Sequence, residues 1–147
     1  MTADANPLPM SDPAAIRNLL KEAKTIAIVG LSDKPERDSN EVGRYLKSQG
    51  YRIIPINPSV PEILGEKSYP SLKEVPRDLR IDIVDVFRKS DAVPGIVEEA
   101  LALNPLPRAV WLQIGVVDDA SGSRVTGHGV TFVQNQCIMV QHKFLMH

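Results

Sequence analysis

The chain has 147 residues, 43% of them hydrophobic and 24% charged, which predicts one globular domain with its own core. Its 17 basic and 18 acidic side chains give a net charge of −1. This balance argues against nucleic acid or an anionic membrane as a partner, because both attract a net basic face. No apolar run approaches the roughly 20 residues of a membrane span. A single cysteine, Cys137, excludes an internal disulfide and favours a reducing compartment, so we expect a cytoplasmic protein.

The N-terminal third predicts a leader followed by a strand–helix–strand unit. Residues 1–10 lack the basic and apolar regions of a signal peptide, and we expect a flexible leader before a single domain over 11–147. "SDPAAIRNLLKEAK" predicts a helix capped by Asp12. "TIAIVG" then predicts a strand buried on both faces, "NEVGRYLKSQG" a helix with Ser39 as N-cap, and "YRIIPINP" a second strand.

The remainder of the chain continues this alternation. A turn-rich segment can hold only a very short strand near 68–69, and the capping box "SLKE" predicts a short helix. "IDIVDVF", "RAVWLQIG" and "GVTFVQ" predict three further strands. A helix is expected to begin at Ser90 or Asp91. A second, weak helix is expected before the fifth strand, and "CIMVQHKFLMH" could form a last helical turn. We therefore predict an α/β, Rossmann-like, doubly wound fold with a mostly parallel five-stranded sheet in three layers.

Four loops are expected at one edge of this sheet, because ligands of open parallel sheets bind beyond the carboxyl ends of the strands. These loops are 30–40, 57–61, 87–91 and 113–118. All four would meet near the point where the strand order reverses. The sequence thus predicts a ligand groove at this edge.

The first loop has features of a phosphate site. Gly30 permits a turn directly after the strand. Backbone amides, the Ser32 hydroxyl and the start of the next helix can face an anion. Lys34 and Arg37 can contact phosphates as charges, although hydrated loop charges are equally common.

A dinucleotide such as NAD fits this loop poorly. Ser32 and Pro35 stand where the fingerprint G-x-G-x-x-G requires glycines, and the second strand ends in Asn57 rather than an acid. A Walker A loop is excluded because the chain has no glycine-lysine-serine/threonine run.

Other conspicuous residues favour structural roles, and the sequence indicates no catalytic or metal-binding set. Cys137 is expected as a small buried apolar residue and Trp111 as a core residue. Asp82 should lie at a strand start. Asp85 should lie near the ligand edge, bonded to loop amides. His128, between two glycines, is expected in a turn.

The ordered stretches "IAIVGLSDKPERDS", "VGRYLKSQGYRIIPINP", "DIVDVFR", "VWLQIGV" and "CIMVQHK" resemble the small stand-alone CoA-binding proteins. These are similar to the CoA-binding domain of the succinyl-CoA synthetase alpha subunit. The resemblance covers nearly the whole chain after the leader and implies coenzyme A or an acyl-CoA as ligand. The 3′-phosphate of CoA would give Lys34, Arg37 or Arg88 a partner.

The resemblance also implies which residues surround CoA. One group approaches the nucleotide phosphates, a second lies beside the adenosine end, a third flanks the pantetheine arm, and a fourth lines the same groove. In that order the groups are Gly30, Leu31 and Ser32; Asn57 and Pro58; Val86, Phe87 and Arg88; and Leu112, Gln113 and Ile114.

Three functions stay open at this point. The first is a non-catalytic CoA- or acyl-CoA-binding domain. The second is an NAD(P)-binding enzyme or redox sensor, and the third is a regulatory scaffold for a protein partner. A homodimer is possible. Gln141 replaces the family's usual Glu before His142, and the chain lacks the separate domain that carries the synthetase's phosphorylated histidine, so no ligase chemistry is transferred.

Overall fold

The computed structural model describes residues 12–146, and the leader predicted over residues 1–10 lies outside this range. The helices are α1 (Pro13–Glu22), α2 (Asp38–Ser48), α3 (Val93–Leu101), α4 (Asp119–Gly127) and α5 (Ile138–Met146). The strands are β1 (Thr25–Val29), β2 (Arg52–Ile56), β3 (Glu62–Ile63), β4 (Glu66–Lys67), β5 (Ile83–Val86), β6 (Ala109–Leu112) and β7 (Thr131–Val133). Short 3-10 helices span Leu72–Glu74 and Ser90–Ala92.

Five strands form one parallel sheet in the order β2-β1-β5-β6-β7. The chain builds outward from β1 in one direction and then, from β5 onward, in the other. The order therefore reverses between β1 and β5, which is the position where doubly wound sheets bind ligands. The predicted fold class is confirmed.

Each face of the sheet has its own core, because alternate side chains of a strand point to opposite faces. On one face, Val29, Val84 and Leu112 pack beneath α3 and α4 with Val97 and Val125. On the other face, α1, α2 and α5 cover a second set of apolar residues, which includes Ile26, Ile28, Ile83, Trp111, Leu46 and Ile138. The result is the expected three-layer arrangement.

The starts of the first two helices depend on different contacts. Asp12 caps α1 as predicted, since its side chain accepts a hydrogen bond from the Ala14 amide. The prediction of Ser39 as N-cap of α2 is wrong, because the helix begins at Asp38 with Arg37 as N-cap. The Ser39 hydroxyl instead accepts the Ser32 amide at 2.9 Å.

The turn-rich segment contains an antiparallel hairpin of β3 and β4, which the sequence analysis did not predict. Its turn uses positive φ at Leu64 and Gly65. The very short strand expected near 68–69 is one parallel bridge between Ile56 and Tyr69. The expected last turn of the chain is a full helix, α5.

Within residues 12–146, every helix is too short or too polar to cross a lipid bilayer.

Candidate functional site

The loops that follow β1, β2, β5 and β6 meet at the carboxyl edge of the sheet. Backbone hydrogen bonds join them: the Gly30 amide donates to Ile56 O (2.9 Å), the Phe87 amide to Val29 O (2.8 Å), and the Gln113 amide to Val86 O (3.2 Å). Each loop therefore leaves its strand in contact with the end of the neighbouring strand. The predicted convergence of these loops is present.

Gly30 is confined by backbone as well as by its own conformation. Its φ is +91°, a region that favours glycine. A Cβ atom there would lie 2.6 Å from the carbonyl oxygen of Phe87 and 3.0 Å from Cδ of Arg88. The absence of a side chain lets the first and third loops approach closely at the switch point.

Polar side chains hold the first loop against α2 and the second loop. The Asn40 amide group donates to Ser32 O at 2.8 Å. The Asn57 side chain donates to Leu31 O at 2.9 Å and accepts the Ser59 amide at 2.8 Å. Asn57 thus fixes the relative position of the first two loops through one side-chain N–H group and its Oδ1.

Three adjoining clefts form a groove along this edge. The helix cleft, about 330 Å³, is lined by Gly30, Ser32, Glu36, Arg37, Asp38, Ser39 and Phe87. The proline cleft, about 290 Å³, is lined by residues that include Ile56, Pro58, Pro70, Arg88, Ile96 and Glu99. The thiol cleft, about 480 Å³, is lined by residues that include Phe87, Arg88, Gln113, Ile114, Cys137 and Met139. Phe87 borders the helix and thiol clefts, and Arg88 borders the proline and thiol clefts, so neighbouring clefts share lining residues.

The groove contains charges of both signs. Arg37 lies in the helix cleft, where α2 begins without a side-chain cap. The uncapped amides and the positive end of the helix dipole favour an anion at that point. Asp38 and Glu36 line the same cleft and oppose this preference. Arg88 and Lys89 add positive charge to the thiol cleft, which Asp38 and Glu41 also border.

The structure divides the predicted site residues into two groups. Those that line the groove are Gly30, Ser32, Arg37, Pro58, Phe87, Arg88, Gln113 and Ile114. The others support it from behind or lie away from it: Leu31, Val86 and Leu112 are buried, Asn57 ties loops together, and Lys34 is an exposed residue outside these clefts.

Asp85 differs from its prediction. It is fully buried in the middle of the sheet, level with Ile28 and Trp111 on the neighbouring strands. Neither carboxyl oxygen has a hydrogen-bond partner within the described part of the chain, so the expected bonds to loop amides are absent. Loss of hydration on burial raises the pKa of Asp85 well above its ordinary value. Asp85 is therefore a destabilising core residue rather than a group of the groove.

The prediction that Cys137 is a small buried residue of the core is also wrong. Cys137 is only partly buried, and it lines the thiol cleft directly before α5. The sequence pattern gave no indication of this, because a lone cysteine in an apolar stretch reads as core. Met139, a further lining residue, was missed for the same reason.

Trp111 and Asp82 lie where they were expected. Trp111 is fully buried, and Asp82 precedes β5, where its carboxylate accepts the amides of Lys24 and Thr25. His128 ends α4 at an exposed position. His142 is buried and forms a 2.7 Å hydrogen bond between its Nδ1 and the Tyr45 hydroxyl.

Within residues 12–146, no three His, Cys, Asp or Glu side chains lie close enough together to hold a metal ion. Asn57 also leaves no acid at the end of β2 for ribose hydroxyls, and its side-chain donor and acceptor are bound to protein atoms. The end of β2 therefore lacks the acidic side chain that binds the ribose of NAD, as the sequence also indicated.

Comparison with known proteins yields a family match over most of the chain. The model of a family described as a CoA binding domain matches residues 24–143. The Bacillus subtilis protein YneT is 42% identical over 129 residues, which cover 88% of this chain and 93% of that protein. A solved structure of a hypothetical protein from Pyrococcus horikoshii has a TM-score of 0.88 and 34% identity, and the alignment covers 99% of this chain and all of that one.

A more distant match is the alpha subunit of ADP-forming acetate–CoA ligase II from Pyrococcus furiosus. It is 37% identical over 65 residues, which cover 44% of this chain and 14% of the subunit. The similarity is thus confined to a small part of the ligase subunit.

Proposed function

Because the chain belongs to the CoA-binding domain family, we propose that it binds coenzyme A or an acyl-CoA in the carboxyl-edge groove and catalyses no reaction itself. The observation that carries the proposal is that the helix, proline and thiol clefts adjoin at the switch point of the sheet, where Phe87 and Arg88 each line two of them. CoA is a long ligand with three chemically distinct parts. A groove with anion-binding, apolar and amide-bearing stretches suits such a ligand.

The diphosphate of CoA occupies the helix cleft in this proposal. The turn at Gly30 allows backbone and ligand to approach closely. The uncapped start of α2 and the Arg37 guanidinium supply positive charge. Ser32 keeps its hydroxyl proton available, since its oxygen accepts the Lys34 amide at 3.1 Å.

The adenosine end lies in the proline cleft. Pro58, Pro70 and Ile96 present apolar surface to a flat base. Arg88 lines this cleft, and its guanidinium is the group that would donate to the 3′-phosphate as a bidentate donor. The pantetheine arm then passes Phe87 into the thiol cleft, where Gln113 can hydrogen-bond its amide groups.

Isothermal titration calorimetry at low salt tests this function, with CoA, dephospho-CoA and NADH as ligands. We expect CoA to bind most tightly, dephospho-CoA more weakly because it lacks the 3′-phosphate, and NADH weakest. Arg88→Ala should lower CoA affinity by about 10- to 150-fold, because a charged hydrogen bond contributes about 1.5–3 kcal/mol.

Arg77→Ala is the matched control. Arg77 is exposed, as Arg88 is, but it lines a neighbouring cavity formed by residues 72–81 and 99–105, which meets the proline cleft at Leu72 and Glu99 and not at Arg77. Arg77→Ala removes one positive charge, as Arg88→Ala does, without changing a residue of the groove. Absence of heat with CoA, or equal losses in the Arg77 and Arg88 variants, would count against the proposal.

A further inference from the structure

The thiol cleft presents apolar surface to solvent. Ile114 is 68% exposed, although it is a large apolar residue, and it lines this cleft. Further apolar side chains line the same cleft, namely Val42, Phe87, Val116 and Met139. Apolar area that is exposed to water gains free energy when a ligand covers it. The thiol cleft therefore favours a ligand that carries an apolar group.

The loop that carries Ile114 is held in place by bonds to two other loops. The Gly115 amide donates to Asn135 Oδ1 at 2.8 Å. The Val117 amide donates to Ser90 Oγ at 2.9 Å. Because the loop is already fixed, a ligand that covers Ile114 pays little conformational entropy for ordering it.

The charged residues that line the thiol cleft balance in sign. Arg88 and Lys89 are matched by Asp38 and Glu41. A carboxylate in this cleft would meet two acids as well as two cations, so the lining residues give it no net attraction. The proposed function also uses Arg88 for the 3′-phosphate, which leaves Lys89 opposed by both acids. An uncharged group suits the cleft better than an anion.

We propose that the ligand is an acyl-CoA with an uncharged aliphatic acyl group, which occupies the thiol cleft against Ile114. This inference rests on the proposed function, because the nucleotide and the pantetheine arm must bring the acyl end to the cleft. It selects aliphatic acyl-CoA over free CoA and over the CoA esters of dicarboxylic acids. A fully buried methylene improves affinity by about fourfold, and a half-buried one by about twofold.

Isothermal titration calorimetry of the full chain with CoA, acetyl-CoA, butyryl-CoA and hexanoyl-CoA tests the proposal. We expect Kd to fall by about two- to fourfold for each methylene between acetyl-CoA and hexanoyl-CoA. Succinyl-CoA has the chain length of butyryl-CoA but ends in a carboxylate. It should bind at least about two- to fourfold more weakly than butyryl-CoA, because it lacks the terminal methyl group and its charge must stay hydrated.

Two serine variants locate the acyl group. Ile114→Ser should lower the ratio of the acetyl-CoA Kd to the hexanoyl-CoA Kd by about fourfold or more, since the acyl chain loses its apolar neighbour. The ratio is taken within one variant, so a general effect on CoA binding cancels. Val140→Ser is the matched control, because Val140 is a 51% exposed residue of α5 outside the three clefts. This variant should keep the wild-type ratio.

The failures of the two proposals differ. If CoA binds but affinity does not rise with chain length, or succinyl-CoA binds more tightly than butyryl-CoA, the acyl preference is refuted while the proposed function stands. Equal ratios in the Ile114 and Val140 variants would refute the placement of the acyl group in the thiol cleft. If neither CoA nor any acyl-CoA gives heat, both proposals are refuted.

Discussion

A methyl group at Gly30 should disturb both the fold and the groove, and a second glycine supplies its control. Gly30 and Gly50 have similar positive φ values of +91° and +99°. At Gly30, an added Cβ would lie 2.6 Å from the Phe87 carbonyl oxygen. At Gly50, no atom of the described residues lies within 4 Å of the added Cβ beyond its chain neighbours. Gly50→Ala therefore measures the backbone cost alone, and Gly30→Ala adds the steric conflict.

The magnitudes follow from these two terms. An alanine at positive φ costs about 1–2 kcal/mol, which is the loss of unfolding free energy expected for Gly50→Ala. Gly30→Ala must also displace Phe87 backbone, whose amide bonds Val29 O at 2.8 Å. Such overpacking costs roughly 1–3 kcal/mol more. The Gly30 variant should thus lose about 2–5 kcal/mol in total.

Urea unfolding followed by circular dichroism measures both variants, with equal m-values as the condition for comparison. Gly30→Ala should also weaken CoA binding, since Phe87 and Arg88 line the groove, whereas Gly50→Ala should not. Equal destabilisation by the two substitutions would refute the assignment of Gly30 as a close contact between loops.

Two further predictions concern the core beneath the groove and the loop junction above it. Because burial raises the pKa of Asp85, the folded chain retains the Asp85 proton more strongly than the unfolded chain. Protonation of Asp85 contributes its full share to the free energy of unfolding below the pKa of the unfolded chain, which is about 3.9. As pH rises, this contribution falls by about 1.4 kcal/mol per pH unit until pH exceeds the pKa of the folded chain. Asp85→Asn should remove this fall and exceed the wild type in stability at neutral pH; parallel stability curves for the two proteins between pH 4 and 7 would contradict this. Asn57→Ala should cost about 1–3 kcal/mol of unfolding free energy, because it leaves Leu31 O and the Ser59 amide without their partner. It should also reduce CoA affinity in calorimetry, and unchanged stability and affinity would show that Asn57 does not hold the two loops together.

The sequence specified the five-stranded sheet well, because each parallel strand is a continuous apolar run between turn residues. The runs ending at Gly30 and Asn57 are examples, and both strands lie where they were expected. Parallel strands need this pattern since they are buried on both faces. The same reasoning placed the four loops of the groove, because chain order and right-handed crossovers leave few alternative topologies.

The misplaced residues depend on contacts between distant parts of the chain. Serine is a favourable N-cap residue, but the Ser39 hydroxyl accepts a hydrogen bond from the Ser32 amide and does not cap the helix. The sequence predicts Asp85 at the edge of the sheet, because burial of an acid without partners costs free energy. The structure nevertheless buries Asp85 with neither carboxyl oxygen hydrogen-bonded within the described residues. The hairpin of β3 and β4 has strands of two residues, which are too short to produce a period in the sequence.

The groove itself was predictable only in part. Gly30, Phe87 and Gln113 follow strand ends, so the topology locates them from sequence. Cys137 and Met139 reach the groove through the position of α5, which depends on how that helix packs on the sheet. No pattern in the local sequence predicts how α5 packs on the sheet. The thiol cleft therefore became visible only in the structure.

Backbone amide NMR spectra recorded during a titration with CoA test the central claim most directly. The account predicts that shifts concentrate in residues 30–40, 57–61, 87–91 and 113–118, and that the cavity formed by residues 72–81 and 99–105 stays unchanged outside its border with the groove. Shifts centred on that cavity, or spectra unaffected by CoA, would contradict a CoA site at the carboxyl edge of the sheet.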